Sequence, residues 1–248
     1  MKTAIVFCAD QKFKIGLKST IKTLSNNLSY TNYDSYLITD DFFDCDKVKK
    51  IIKVDVKKYE KIKTPNPRFV KSFYKFEIFS NYFLNNYDRV IFFDADLLFM
   101  GNIDYLFSEK LNKHAIWMAK DDGLGLSKKE DKFYRVNTGV IVYNCNQINK
   151  NMTKDLIKYA INNKSVDDSD QGIINDFIRD YNLDLHYLPI EYNCLKRIYV
   201  MHKQIWKKIN KNIRILHFVG NKPWNLNINN IEPEYKPLTT LWRKKVNE

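Results

Sequence analysis

Short apolar runs separated by amphipathic stretches set the rhythm of the chain. Ala4–Cys8 is a β-rich run, Tyr33–Thr39 a second, and Ile51–Val56 a third, divided by Lys53 and Asp55. Between the first two, Phe13, Leu17, Ile21 and Leu24 recur three or four apart, the period of a helix with one buried face. Asp40-Asp41 reads as a turn or a helix cap. The opening therefore predicts β-α-β-α-β, a parallel sheet with covering helices.

Further on, Phe73, Phe76, Phe79 and Phe83 form an aromatic stripe at helical spacing within Val70–Leu84, the mark of a core-facing surface. Arg89–Phe93 predicts a buried strand that runs straight into Asp94-Ala95-Asp96. Ala115–Ala119, Val136–Asn144 and Ile213–Val219 complete the predicted strands, the middle one interrupted at its start by Asn137-Thr138-Gly139. Met152–Ile161 and Gln171–Arg179 carry helical spacing. Lys57–Arg68, with Thr64-Pro65-Asn66-Pro67, reads as a loop, and the charged, Gly-containing Asp121–Asp131 as a mobile loop. No repeat or linker divides the 248 residues, so the pattern predicts a single domain over 1–248, with the C-terminal segment 225–248 packing on it.

Composition changes this picture little. Apolar residues at 44% exclude a wholly disordered chain. The net charge of +12 invites a nucleic-acid reading, but 34 Lys stand against only 7 Arg, and Arg is the residue that forks onto bases and phosphates. The excess reads as a solvated basic surface that would also draw in an anionic small molecule. Cys8, Cys45, Cys145 and Cys194 lack metal-ligand spacing and fit a reducing compartment. The N-terminal apolar run stops at Asp10 after six residues, short of a signal peptide, and no segment reaches the ~20 apolar residues of a membrane helix. A soluble, cytoplasmic protein without a nucleic-acid partner is the expectation.

The chemistry concentrates in a few places. Asp94 and Asp96 lie at the carboxyl end of a predicted strand, where open α/β sheets bind ligands. Two adjacent anions between apolar flanks call for a cation, and a hard divalent ion with open positions would suit phosphate oxygens. His217 closes another strand, and imidazole is a good third ligand for Mn²⁺. Gly220 lets backbone approach a ligand, and Lys222 can meet a phosphate as a point charge. Asn137-Thr138-Gly139 offers an amide, a hydroxyl and bare backbone. Asp170 reads as a helix N-cap or as a ligand-facing acid, and Asp10 and Phe13 as a cap and a core aromatic or as a place for a nucleotide base.

In order, Phe93-Asp94-Ala95-Asp96, Asn102-Ile103-Asp104-Tyr105-Leu106-Phe107, Asn137-Thr138-Gly139, Asp170-Gln171-Gly172 and His217…Lys222-Pro223-Trp224 make a chain that resembles the glycogenin-like retaining glycosyltransferases of family 8. Tyr74-Lys75-Phe76 and Pro237–Trp242 fit as well, so the likeness runs from about Thr3 to Trp242. The resemblance implies an α/β GT-A fold, a single Rossmann-like domain with a mixed, mainly parallel central sheet and flanking helices. It implies a UDP-sugar donor, UDP-glucose before UDP-galactose, and Mn²⁺ with Mg²⁺ as a weaker substitute. Asp94, Asp96 and His217 would hold the metal. Phe7, Ala9, Asp10 and Phe13 would face the nucleoside, Arg68, Lys75 and Ala95 the donor, and Asn137, Thr138, Gly139, Asp167, Asp170 and Gln171 the sugar. Gly220 and Lys222 would grip the diphosphate. Asp170, Gln171 and Lys222 would serve the chemistry of a hexosyltransferase. The acceptor would be a glycan, a polyol, a protein or a tyrosine of the chain itself, with Tyr199 the candidate and a homodimer one way to present it.

Two features depart from the family pattern. Only Asn221 stands between Gly220 and Lys222, where the family has two residues, and the segment around Tyr199 aligns only with a gap. Phosphatases of the haloacid dehalogenase type also place Asp-X-Asp after an apolar strand, but on the first strand and followed by Gly-Thr. Here three candidate strands precede it. The same residues would also suit a sugar-nucleotide-binding relative without activity, and the net charge a basic nucleic-acid-binding module.

Overall fold

A computed structural model describes the chain apart from residues 43, 44, 46, 122–133 and 226–232, and apart from the side chains of 67 and 68. Seven strands form the main sheet: β1 (Thr3–Cys8), β2 (Tyr33–Thr39), β3 (Lys50–Lys53), β4 (Arg89–Asp94), β6 (Ile116–Lys120), β7 (Val136–Asn144) and β8 (Leu185–Leu188). Their order is β3-β2-β1-β4-β7-β6-β8. β3, β2, β1 and β4 pair in parallel, β7 runs antiparallel to both β4 and β6, and β8 is parallel to β6. The sheet is thus mixed and mainly parallel, as expected.

Alternation along the strands decides which face each residue serves. Val6, Tyr36, Ile38, Val90, Phe92, Ile141 and Tyr143 face one core layer, shared with α3 (Met152–Asn162), α4 (Asp170–Asp180) and the Phe73, Phe76, Phe79, Phe83 stripe. Ile5, Phe7, Leu37, Ile91, Phe93, Val140 and Val142 face the other, against Leu17, Ile21 and Leu24 of α1 (Lys14–Asn27). Each of these buried side chains contributes on the order of 1.5–3 kcal/mol of hydrophobic stabilisation. Two threonines on α1 do polar work beside them. Thr20 Oγ1 donates to the Leu97 carbonyl and accepts from the Leu97 amide, and Thr23 Oγ1 accepts from the Phe99 amide. They satisfy β5 (Leu97–Phe99) along an edge that has no strand beside it among the described residues.

β5 belongs to a second sheet with β9 (Cys194–Leu195) and β10 (Ile215–His217), in the order β5-β10-β9. Leu98, Leu195, Ile213 and Leu216 gather there with Trp224, Leu238 and Trp242. The last two lie on α7 (Lys236–Asn247), so the described part of 225–248 packs on the body of the chain, and Lys22 Nζ donates to the Val246 carbonyl at 2.6 Å.

Several expectations need correction. Between β2 and β3 the described residues form no helix, so the opening is β-α-β-β. The Pro67–Phe79 segment is a run of 3-10 turns followed by α2 (Asn81–Asn86), although Phe73, Phe76 and Phe79 of the turns and Phe83 of α2 are buried as predicted. β7 is unbroken: all nine residues, Asn137-Thr138-Gly139 included, are buried and extended. Asn175 of α4 makes this possible, since its amide accepts from the Val136 N–H at 2.7 Å and donates to the Val136 carbonyl at 2.9 Å, as a neighbouring strand would. Ser169, not Asp170, caps α4. β5, β8 and β9 were not predicted. Arg68's side chain and most of the Asp121–Asp131 loop lie outside the described residues.

Candidate functional site

The parallel strands β1 and β4 end side by side, with Cys8 opposite Asp94. β7 reverses direction, which brings its first residues to the same end: Phe93 pairs with Val140, so Gly139 adjoins Asp94. β10 ends there too, with His217 opposite Leu97 of β5. Parallel-sheet topology and one antiparallel strand therefore deliver Asp94, Asp96, Asn137–Gly139 and His217 to a single region, at the carboxyl ends of the strands.

Asp94, Asp96 and His217 each offer a ligand atom within 4.8 Å of the others. His217 Nε2 lies 3.2 Å from Asp96 Oδ1 and 3.8 Å from Asp94 Oδ2. Two carboxylates and an imidazole form a donor set that fits a hard or borderline divalent ion. The ring rests directly on Gly139: a Cβ added there would sit 2.3 Å from His217 Cε1 and 2.6 Å from Nδ1. Only a residue without a side chain admits the imidazole at this place.

Two lysines balance the carboxylates. Lys75 is buried and reaches Asp94 Oδ1 at 3.1 Å, Asp170 Oδ2 at 2.9 Å and Thr138 Oγ1 at 3.1 Å. Burial alone would lower its pKa, but Asp170 and Asp94 outweigh that and keep the ammonium protonated. Lys222 pairs with Asp96 and donates to the Phe218 carbonyl at 3.0 Å. The single-residue spacer is therefore sufficient to aim Lys222 at the carboxylates. Gly220, at φ +73°, makes the bend that does so, with open space around it. Burial raises the Asp94 carboxyl above its usual range, opposed by Lys75 and reinforced by Asp96. Burial acts likewise on Asp96, yet Lys222 and His217 outweigh it and hold that carboxyl well below the usual range.

The remaining predicted residues divide into two groups. Thr138 Oγ1 donates to Asp170 Oδ2 at 3.0 Å, and both reach Asp94 through Lys75; Gln171 Oε1 accepts from Asn137 Nδ2 at 2.8 Å, and Asn137 reaches His217 through Asn193. Phe13 lies 5.4 Å beneath Lys222 Nζ and 6.0 Å from Trp224. Asp10 caps the turn Gln11–Phe13 and lies 4.0 Å from Lys71, which also meets Asp40. Phe7 and Ala95 have core side chains, and Ala9 is buried at the strand end. Asp167 builds the loop ahead of α4, its Oδ1 accepting from Ser165, from the Ser169 amide and hydroxyl and from the Gly172 amide. Tyr199 sits on α5 (Arg197–Met201), its ring edge-on to Trp206 of α6 (Lys203–Ile209).

Three residues of this region were not anticipated. Asp121, just past β6, accepts from Gln171 Nε2 at 2.9 Å and pairs with Arg197. Asn193, fully buried, places its Oδ1 2.9 Å from His217 Nδ1. Asp121 belongs to no recognisable motif, and Asn193 and Arg197 were visible only as part of the segment around Tyr199 that aligns with a gap. Contact across 24 to 76 residues of sequence leaves no local trace.

The chain is 32% identical over 149 residues to glycogenin-2 of Homo sapiens, a stretch covering 59% of this chain and 27% of the relative. The chain thus spans well under half the length of that relative. Two crystal structures share its fold over 98% of this chain and 95% of theirs, each at 14% identity. One is an active-site mutant of LgtC, with a TM-score of 0.73, and the other the galactosyltransferase LgtC in complex with donor and acceptor sugar analogs, with a TM-score of 0.66. The mixed sheet with flanking helices is a GT-A-like fold. The model of the family described as glycosyl transferase family 8 matches residues 4–227, nearly the whole chain, and with a fold and a strand-end cluster of carboxylates and imidazole in agreement, the chain belongs to that family.

Proposed function

We propose that the protein is a metal-dependent retaining hexosyltransferase that moves glucose, or in second place galactose, from a UDP-sugar to an acceptor hydroxyl. The observation that carries this reading is the Asp94, Asp96, His217 cluster with Lys75 and Lys222 beside it. Asp94, Asp96 and Asp170 against the two ammonium groups leave the site with one net negative charge. A divalent ion there, Mn²⁺ before Mg²⁺, would make it positive, supply electrostatic stabilisation to an anionic leaving group and let a diphosphate bind. Lys222, released from Asp96 by such an ion, would meet charge growing on the leaving phosphate. Lys75 holds Asp94 and Asp170 in place from below. Asp170 and Gln171, at the start of α4, are the groups assigned to the face of the sugar, where they would stabilise an oxocarbenium-like centre.

The glycogenin likeness supports glucose and a tyrosine acceptor, and the LgtC fold supports galactose and a glycan acceptor. Arg197 turns toward Asp121, and Tyr199, two positions along, points about 200° round the helix from it. Tyr199 would therefore reach a donor only if α5 moved or a second copy presented it. The test is incubation with UDP-glucose and UDP-galactose, each with Mn²⁺ or Mg²⁺, read by released UDP and by intact mass. Metal-dependent UDP release is expected, and a gain of ~162 Da per hexose would identify the chain as its own acceptor. UDP binding without release from any sugar, with acceptors supplied, would leave a sugar-nucleotide-binding module and refute the transferase.

A further inference from the structure

An unbroken chain of side-chain hydrogen bonds runs from Arg197 to His217. Arg197 pairs with Asp121, and Gln171 Nε2 donates to Asp121 Oδ2 at 2.9 Å. Asn137 Nδ2 donates to Gln171 Oε1 at 2.8 Å, and Asn193 Nδ2 donates to Asn137 Oδ1 at 2.8 Å. Asn193 Oδ1 faces His217 Nδ1 at 2.9 Å.

Each amide in this chain has an oxygen end and a nitrogen end, and reversing one would oppose like groups. Three fixed points decide the direction. Asp121 can only accept while it is ionised, so it must face the Gln171 nitrogen. The Thr138 amide donates to Gln171 Oε1 at 3.3 Å, and the Gly139 amide donates to Asn137 Oδ1 at 3.0 Å. Backbone N–H groups cannot reverse. With Asn137 Oδ1 pinned, Asn193 must present its nitrogen to it and its oxygen to His217.

We infer that Asn193 is a positioning residue that fixes a proton of His217 on Nδ1, so that Nε2 is the nitrogen turned between Asp94 and Asp96 and the one that would offer its lone pair to a metal. The backbone of Thr138 and Gly139 thereby sets the ligating nitrogen of a side chain almost eighty residues further along the chain. The inference rests on the metal reading of the cluster for its purpose, although the direction of the hydrogen-bond chain is a property of the chain alone: without an ion Nε2 faces the Asp96 carboxylate at 3.2 Å, and a bound cation would take the place of a proton between them. Groups that orient a ligating histidine through its other nitrogen raise metal affinity by holding ring and tautomer together.

Two measurements test this. In the first, UDP-saturated protein is titrated with Mn²⁺ and followed by electron paramagnetic resonance. Asn193→Leu should bind Mn²⁺ about 10–100-fold more weakly than the parent, while its affinity for UDP without metal is unchanged. An unaltered Mn²⁺ affinity in Asn193→Leu would overturn the inference. In the second, nitrogen-15 histidine spectra of the parent are recorded with UDP and saturating Mg²⁺, a diamagnetic ion that leaves the signals visible. His217 should then show a protonated Nδ1 and a metal-bound Nε2, and a bare or metal-bound Nδ1 would overturn the inference even if Asn193→Leu fails to fold. A parent that binds neither Mn²⁺ nor Mg²⁺ but still shows a protonated Nδ1 would refute the metal reading and leave the positioning role of Asn193 standing.

Discussion

Replacing Gly139 by alanine is the smallest change that reaches the centre of the site. The new Cβ would lie 2.3 Å from His217 Cε1 and 2.6 Å from Nδ1. Carbon atoms in contact settle near 3.5–4.0 Å, so ring and strand must separate by about 1 Å. The ring cannot retreat freely, because Asn193 holds its Nδ1 at 2.9 Å and the fully extended β7 is paired on both sides. Overpacking of this kind costs about 1–3 kcal/mol. For a chain of this size each kcal/mol moves Tm by about 2–4 °C, so a fall of roughly 2–12 °C is expected. The functional loss should be larger than the stability loss suggests. Metal ligands tolerate shifts of about 0.2 Å, and a 1 Å misplacement near the reacting atoms costs on the order of 10²-fold in rate. Scanning fluorimetry gives the first quantity, and calorimetric titration of UDP with Mn²⁺, followed by turnover, the second. A Gly139→Ala protein that melts with the parent and keeps its metal-dependent UDP affinity would refute the argument that this glycine exists to seat the imidazole.

Asp96→Asn should abolish Mn²⁺-dependent UDP binding while the fold survives, because Asp96 is the carboxylate closest to His217 and the partner of Lys222; calorimetry with and without Mn²⁺ checks this. Lys222→Ala should lower kcat on the order of 10²-fold with a smaller change in donor KM, since the charge it meets grows in the transition state; steady-state kinetics separates this from a change confined to KM. At the far edge of the sheet, the His186 ring stacks on His114 at 4.3 Å, and burial followed by the charge on His114 lowers its pKa. The unfolded chain then binds the extra proton more readily, so stability rises with pH from the lowered value up to about 6.5. Urea midpoints across that window should show a modest slope in the parent that flattens in His186→Gln.

Long periodic segments announced themselves. β2 and α4 lie within a residue of where the pattern puts them, because an alternating or three-four apolar pattern over seven or more residues has only one way to bury itself. The carboxylates stood out for the same reason in reverse, as charges wedged between buried residues of β4 and β5. Short elements did not. β5, β8 and β9 have two to four residues, and their pairing is set by strands far away in sequence or by the threonines of α1. Asn137-Thr138-Gly139 looked like a turn because Asn and Gly favour turns locally. Asn175, 39 residues away, overrides that preference by closing the strand end. The support around His217 was illegible for a similar reason. Asn193 and Asp121 acquire meaning only from the partners that tertiary structure gives them.

The main sheet ends at β3, whose outer flank has no strand beside it among the described residues. Such an edge is a template for another chain to add to. Here the exposed edge strand is only four residues long and carries lysine at both ends, with Lys47 and Lys49 immediately before it. Two copies approaching edge to edge would set these ammonium groups against one another. Part of the solvated basic surface would therefore oppose self-assembly into extended sheets, although Asp34 pairs with Lys49 and offsets one of these charges. The reach of this repulsion is that of a screened charge, about 8 Å at physiological ionic strength, and concentrated salt would remove it.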